Sequence, residues 1–355
     1  MSGTTLSNLT NADLAELLAQ EAEGEKEMRQ RACRKAARSA FLWPIEATVL
    51  LQAGKSLTEL NSVGPFIAHK LGEWLENPPA RVEPPALRRD FIALADARRR
   101  LTSKPDWAAR LRGDLQMHTV WSDGSGSVAA MAAAGEARGY EYIAITDHSK
   151  GLKIAGGIDE IALEKQAEEI AATNESNRAN GQRLRVLRSI EMNLNPRGEG
   201  DMDPASLRQL DLVLGSFHSS LRKVEDQTER YLAAIRNPHV HIHGHPRGRI
   251  YNYRLGLTAD WPRIFAAAAR LDKALEIDSY PDRQDLNVEL LKLARQEGVR
   301  ISLGTDAHHP WQLEFIELGL AAALQAKISP ERIINFMPLP QLQRWLSSLR
   351  SALPS

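Results

Sequence analysis

Residues 142–148 read YIAITDH, and this stretch decides the fold. An apolar run of strand length closes on a carboxylate and an imidazole, so the strand delivers metal-ligating groups at its C-terminal end. Working outward, the construction recurs in LQMHT (residues 115–119), LVLGSFH (212–218), VHIHGHP (240–246) and ISLGTDAHH (301–309). Nine of the ten histidines lie between His118 and His309. Strands that repeatedly present polar residues at one end are how a parallel α/β barrel assembles a metal site.

Seven strands are predicted, at 114–117, 142–146, 185–191, 211–216, 240–244, 274–278 and 300–304. Amphipathic helical stretches such as VAAMAAAGEARG and IALEKQAEEIAATNESNR fall between most of them. The alternation predicts βα units in an α/β class, and the shared end of the polar groups predicts a closed or nearly closed barrel. Residues 1–76 read differently, as an all-helical domain in which Thr10 or Asn11 can cap the first helix. NPPARVEPP and a short charged helix at 86–101 make residues 77–105 a stiff linker. The barrel then occupies 106–355.

Several classes are excluded early. The 355 residues carry no formal net charge, so only local patches can attract nucleic acid. A lone cysteine, Cys33, rules out an intramolecular disulfide framework and suits a reducing compartment. Without a signal-like start or a long apolar run, a soluble cytoplasmic protein with no membrane association is expected. Nothing points to a protein partner.

The strand ends supply ligand candidates in order: Gln116, His118, Asp123, His148, Glu191, His218, His245, Asp306 and His308. Residues 116 and 118 share a strand face, as do 306 and 308. Five imidazoles and three carboxylates suit Zn²⁺, Mn²⁺ or Fe²⁺ better than Ca²⁺ or Mg²⁺. Eight strong donors exceed the needs of one ion, so two or three metals are expected, with Glu191 able to bridge. Clustered metals of this kind generate hydroxide near neutrality and clamp phosphoryl oxygens. Glu191, Asp306 and His245 are the catalytic candidates. Lys150, Arg247 and Arg249 are candidates for gripping a substrate phosphate, or equally solvated loop charges. His239 and His241 read as structural, His243 as a supporting group, and His309 as facing away.

The segments GDLQMHTVWSDGS, AITDHSKGLKIAGG, SIEMNL, LGSFHSS, HGHPRGR and LGTDAHH resemble the successive motifs of the PHP (polymerase and histidinol phosphatase) domain. They are most similar to the version at the C-terminus of bacterial and archaeal family X DNA polymerases. The resemblance spans residues 113 to about 345. It implies a distorted (β/α)7 barrel, a trinuclear site and Mn²⁺- or Zn²⁺-dependent phosphoester hydrolysis. Gln116 departs from the general pattern, which has His there, and can ligate only through its amide oxygen. SLTELNSVGPFIAHKLGEWL resembles a helix-hairpin-helix, which implies DNA contacts by Gly64, His69 and Lys70. Ser62 stands where that pattern has its first glycine, and a plain αα-hairpin is the alternative. The polymerase palm expected between the two parts is absent, so polymerisation is not expected.

These features predict a phosphoesterase acting on gapped, nicked or 3′-ended DNA, by 3′-end processing, 3′–5′ exonuclease action or abasic-site cleavage. Two alternatives stand beside it: a small-molecule phosphatase of the histidinol-phosphatase type, and a non-catalytic metal-stabilised DNA-binding module.

Overall fold

The computed structural model describes residues 8–80 and 83–351; Arg81 and Val82 of the expected linker lie outside them. The chain divides into two compact units, Met1–Lys104 with Tyr251–Tyr253, and Pro105–Ile250 with Arg254–Ser355. Among the described residues no helix is long and apolar enough to cross a membrane.

The first unit is helical. Its first helix, Asn11–Gly24, is capped by Thr10, whose hydroxyl accepts from the Asp13 amide while the Asp13 carboxylate accepts from the Thr10 amide at 2.9 Å. This reciprocal pair satisfies two otherwise orphaned amides and stabilises the helix by about 1 kcal/mol. Leu14, Leu18, Cys33, Trp43, Ile67 and Leu71 form the buried core, and the indole N–H of Trp43 donates to the Asn61 carbonyl at 3.0 Å. The charged helix expected over 86–101 is instead two pieces, a 3-10 turn at Ala86–Arg88 and a helix at Leu94–Thr102. Between them Asp90 takes a φ of 64°, which no α-helix accommodates.

The second unit has eight strand segments: β1 (Gly113–Asp114), β2 (Tyr142–Ile145), β3 (Arg185–Arg188), β4 (Glu191–Asn193), β5 (Leu214–Ser216), β6 (Ile242–His243), β7 (Ala274–Asp278) and β8 (Arg300–Gly304). They pair in parallel as β1-β2-β3 and β4-β5-β6-β7-β8. Two junctions close the circle. Past β2, His148 bridges Glu191 of β4, and past β1, Met117 bridges Ala307 beyond β8. The result is a distorted parallel barrel, with helices such as Val128–Ala137 and Glu160–Ala179 between its strands.

Strand boundaries are where expectation and structure differ. The segment 185–191 is split at Ser189–Ile190 into β3 and β4, and four other strands are shorter than expected. Side chains take the missing ladder bonds. The Met117 amide donates to Thr146 Oγ1 (3.0 Å), the Arg188 amide to Asp211 Oδ2 (2.8 Å) and the Val213 amide to His241 Nδ1 (3.1 Å). Alternating apolarity cannot reveal such substitutions, because they preserve the extended course of the chain.

Candidate metal centre

The strand ends converge on Glu191, a fully buried carboxylate at the start of β4. Its Oε1 lies 2.7 Å from His245 Nε2 and 3.3 Å from His218 Nε2, and its Oε2 lies 3.0 Å from His148 Nδ1 and 3.6 Å from His118 Nε2. Burial acts to raise the Glu191 pKa, but His148, His218 and His245 outweigh it and hold the carboxyl well below its ordinary value.

Asp306 approaches the same His118 nitrogen as Glu191, with its Oδ1 2.9 Å from His118 Nε2. Burial opposes its ionisation, yet the His118 hydrogen bond and Arg283 keep it ionised far below the usual carboxylate range. Asp123 Oδ1 lies 3.3 Å from His308 Nε2 and 3.6 Å from His148 Nε2. Burial lowers the His308 pKa, but the hydrogen bond it donates to Asp123 and the charge of Asp306 carry it up to about 9. The His118 ring stacks between His148 (4.3 Å) and His308 (4.4 Å).

Three groups have donor atoms within 4.8 Å of one another: His118, Asp123, His148 and His308; His148, Glu191 and His218; and His118, Glu191 and Asp306. These groups share members, as expected of a cluster rather than separate sites. The residues fit divalent cations on a further count. His118 Nδ1 and His245 Nδ1 are buried without a hydrogen-bond partner, and His148 Nδ1 and His218 Nε2 approach Glu191 at 3.0 and 3.3 Å without hydrogen-bond geometry. Buried polar atoms are rarely left so, and imidazole nitrogens mixed with carboxylates are the donors that Zn²⁺ and Mn²⁺ accept. Backbone strain gathers at the same place: His245 has φ 23° and Asp306 φ 52°.

The supporting residues were only partly visible beforehand. Gln116 points its amide nitrogen at Glu276, 2.6 and 2.9 Å from the two carboxylate oxygens. Glu276 also accepts from the His245 amide at 2.8 Å. Burial, followed by repulsion from Asp278, pushes the Glu276 carboxyl well above its ordinary pKa. Gly304 is required here, because an added Cβ would sit 2.2 Å from Glu276 Oε1. Glu276 and Asp278 escaped the sequence reading, although two acids alternating in the run ALEID on a buried strand were a usable signal. Arg283 escaped it too; its Nε lies 3.7 Å from Asp306 Oδ2.

The structure engages the phosphate-gripping candidates elsewhere. The Lys150 ammonium donates to Glu160 at 2.7 Å, one Arg247 nitrogen donates to the Leu255 carbonyl at 2.8 Å, and Arg249 is buried and donates to the Arg283 carbonyl at 2.7 Å. Among the DNA-contact candidates, Gly64 caps the helix Pro65–Glu76, His69 lies 3.3 Å from Glu73, and the Lys70 ammonium lies 3.0 Å from Glu21. Ser62 takes φ 64°, a conformation glycine adopts without strain, at the position where the hairpin pattern has its first glycine.

Asp147 organises the first ligand loop. Its carboxylate accepts from the Thr119 amide (2.8 Å), Thr119 Oγ1 (2.6 Å), Ser122 Oγ (2.5 Å) and Gln166 Nε2 (2.6 Å). It thus ties the turn between His118 and Asp123 to the strand end bearing His148. Asp147→Asn keeps the shape but turns an NH2 group toward donors, so Mn²⁺ affinity is expected to fall about 10- to 100-fold. Calorimetric titration of metal-free protein checks this, and an unchanged affinity would contradict it.

Comparison with known proteins gives consistent relatives. The PHP domain family model matches residues 114–306. The DNA polymerase/3′-5′ exonuclease PolX of Bacillus subtilis is 37% identical over 238 residues, which is 67% of this chain and 41% of that protein. A probable phosphatase of Caldicellulosiruptor bescii is 30% identical over 161 residues, 43% of this chain and 65% of its own length. The chain therefore spans well under half of the first relative and just under two thirds of the second. A histidinol phosphate phosphatase from Lactococcus lactis, solved with zinc, L-histidinol and phosphate, aligns over 60% of this chain and 93% of its own at 20% identity and a TM-score of 0.43.

Proposed function

Because the chain belongs to the PHP domain family, and is on that footing a metal-dependent phosphoesterase, we propose that its substrate is DNA, cut at 3′ ends or abasic sites. Divalent cations held at the cluster would supply Lewis acidity toward a phosphoryl oxygen and acidify a water toward neutrality. The remaining roles belong to the protein. Glu191 holds four imidazoles in register from the buried side. Asp306 fixes His118, and the half-exposed Asp123 and His308 form the edge through which substrate enters. Arg283, partly exposed beside Asp306, offers a guanidinium to a non-bridging phosphate oxygen.

The observation that carries the DNA reading is the helix Glu27–Ala40. One face buries Cys33, Ala36, Ala37 and Ala40, while Lys26, Arg29, Arg31, Arg34, Lys35 and Arg38 are all exposed. Five cations on one short helix and a sixth at its N-cap, in a chain of zero net charge, form a local patch suited to phosphates. The Bacillus relative, a DNA polymerase/3′-5′ exonuclease by name, supports the same reading. A reading as small-molecule phosphatase draws on a different observation, since His69 and Lys70 of the hairpin already face Glu73 and Glu21.

Reversing three charges, Arg31→Glu, Arg34→Glu and Lys35→Glu together, decides between them. Cleavage of a gapped duplex should fall by at least about tenfold relative to glycerol phosphate. The slope of log affinity against log salt should flatten by roughly 0.9 for each lost phosphate contact. Equal effects on both substrates would favour the small-molecule reading.

A further inference from the structure

The open edge of the metal centre has an apolar rim that hydrolysis of phosphate alone does not require. Asp123 and His308 are the most exposed of the clustered ligands, at 34% and 28% of their side-chain surface. Three neighbouring loops border this edge, and each carries an exposed apolar side chain. Val120, in the turn before Asp123, is 57% exposed; Ile154, in the loop after His148, is 96% exposed; Trp311, just past His308, is 52% exposed. Single exposed apolar residues need no explanation, but three on adjacent loops around a site mark a binding surface.

The loops are mutually braced. Ser125 donates to the His308 carbonyl through both its amide and its hydroxyl, each at 2.8 Å. Pro310 lies against Gly126, where a Cβ would come within 3.1 Å of it. On the other side, a Cβ on Gly156 would lie 3.2 Å from the Ser122 carbonyl oxygen. The turn 120–126 is therefore seated between the loop bearing Ile154 and the segment bearing Trp311.

Trp311 is held ready for a flat partner. Its ring packs nearly perpendicular to the buried ring of Phe315, with centroids 5.2 Å apart at 86°. Its amide donates to His309 Nδ1 at 3.3 Å, and the two rings lie 6.2 Å apart. Gln312 accepts from the His308 amide at 2.7 Å, which ties this short segment to a ligand of the centre. A π surface fixed beside a phosphate-handling site, with the exposed cation Lys153 next to Ile154, matches a nucleotide whose base is unstacked from its neighbours.

We propose that Trp311, with His309, Val120 and Ile154, forms a subsite that stacks the unpaired nucleobase adjoining the scissile phosphate. The inference rests on the 3′-end form of the DNA reading above, not on abasic-site cleavage, and specifies its substrate as single-stranded or frayed at the point of cutting. It also assigns His309 a role, as part of the platform.

The test compares two labelled oligonucleotides in the full chain with Mn²⁺, one ending in a 3′ nucleotide and the other in the same nucleotide without its base. Glycerol phosphate serves as a third substrate. The ratio of kcat/KM between the two oligonucleotides cancels any general loss of activity in a variant. Stacking predicts that the wild type prefers the base by about 5- to 150-fold, that Trp311→Ala brings the ratio close to one, and that Trp311→Phe retains most of it. A ratio equally high in Trp311→Ala overturns the subsite while leaving the DNA reading intact. A wild type that hydrolyses glycerol phosphate but neither oligonucleotide overturns the DNA reading and the subsite together.

Discussion

Glu191→Gln is expected to lower phosphoester hydrolysis by roughly 10³-fold or more, close to the ~4 kcal/mol of transition-state stabilisation that a displaced Lewis acid forfeits. The reason is geometric. Glu191 is fully buried and its two oxygens face His118, His148, His218 and His245 within 3.6 Å. An amide at that position is neutral, and its nitrogen cannot ligate a cation. The variant loses the negative charge common to two of the three ligand groups. Duplex affinity should change little, because the cationic helix Glu27–Ala40 belongs to the other unit. Steady-state hydrolysis beside fluorescence anisotropy on the same duplex checks both halves. Full activity in Glu191→Gln would disprove the ligand assignment.

Metal removal should produce the second large effect, on stability. A ligand that binds only the folded chain at 100 to 1,000 times its Kd stabilises by about 2.7–4.1 kcal/mol. For a unit of this size, that corresponds to a fall in Tm of roughly 5–15 °C on chelation. Zn²⁺ or Mn²⁺ should restore the loss, while Ca²⁺ should not, because the centre is rich in imidazole and Ca²⁺ prefers oxygen. Differential scanning calorimetry reads this without reference to activity. An identical Tm before and after chelation would show that the imidazole nitrogens of His118, His148, His218 and His245 do not hold metal.

Much of the architecture was legible because barrels repeat themselves. Five apolar runs that end in polar residues, among seven expected strands, predict parallel strands that share one functional end, and β1 to β8 close in that manner. The residues at those ends, from His118 to His308, are the ones the fold gathers around Glu191. What stayed hidden depends on contacts between distant segments. Nothing local distinguishes Asp147, which holds the 118–123 turn, from a residue that merely ends a strand. Glu276 and Asp278 lie within an otherwise ordinary apolar strand. Arg283 reaches Asp306 only because the loop after β7 folds back to pair Asp285 with Asp278. Strand ends were misjudged wherever a side chain, such as Thr146 or His241, replaces a backbone acceptor. The chemistry was thus carried by spacing, and its support by packing.

The most direct measurement is metal-dependent cleavage of a 3′-labelled gapped duplex by the chelator-treated 355-residue chain, titrated with Mn²⁺ and separately with Zn²⁺. The account predicts no cleavage in the depleted protein. It further predicts recovery that saturates at two to three equivalents of metal, and a steep decline as salt is raised. Cleavage that persists in the depleted protein would contradict the metal centre. Recovery confined to a small phosphomonoester, with the duplex left intact at low salt, would contradict DNA as the substrate.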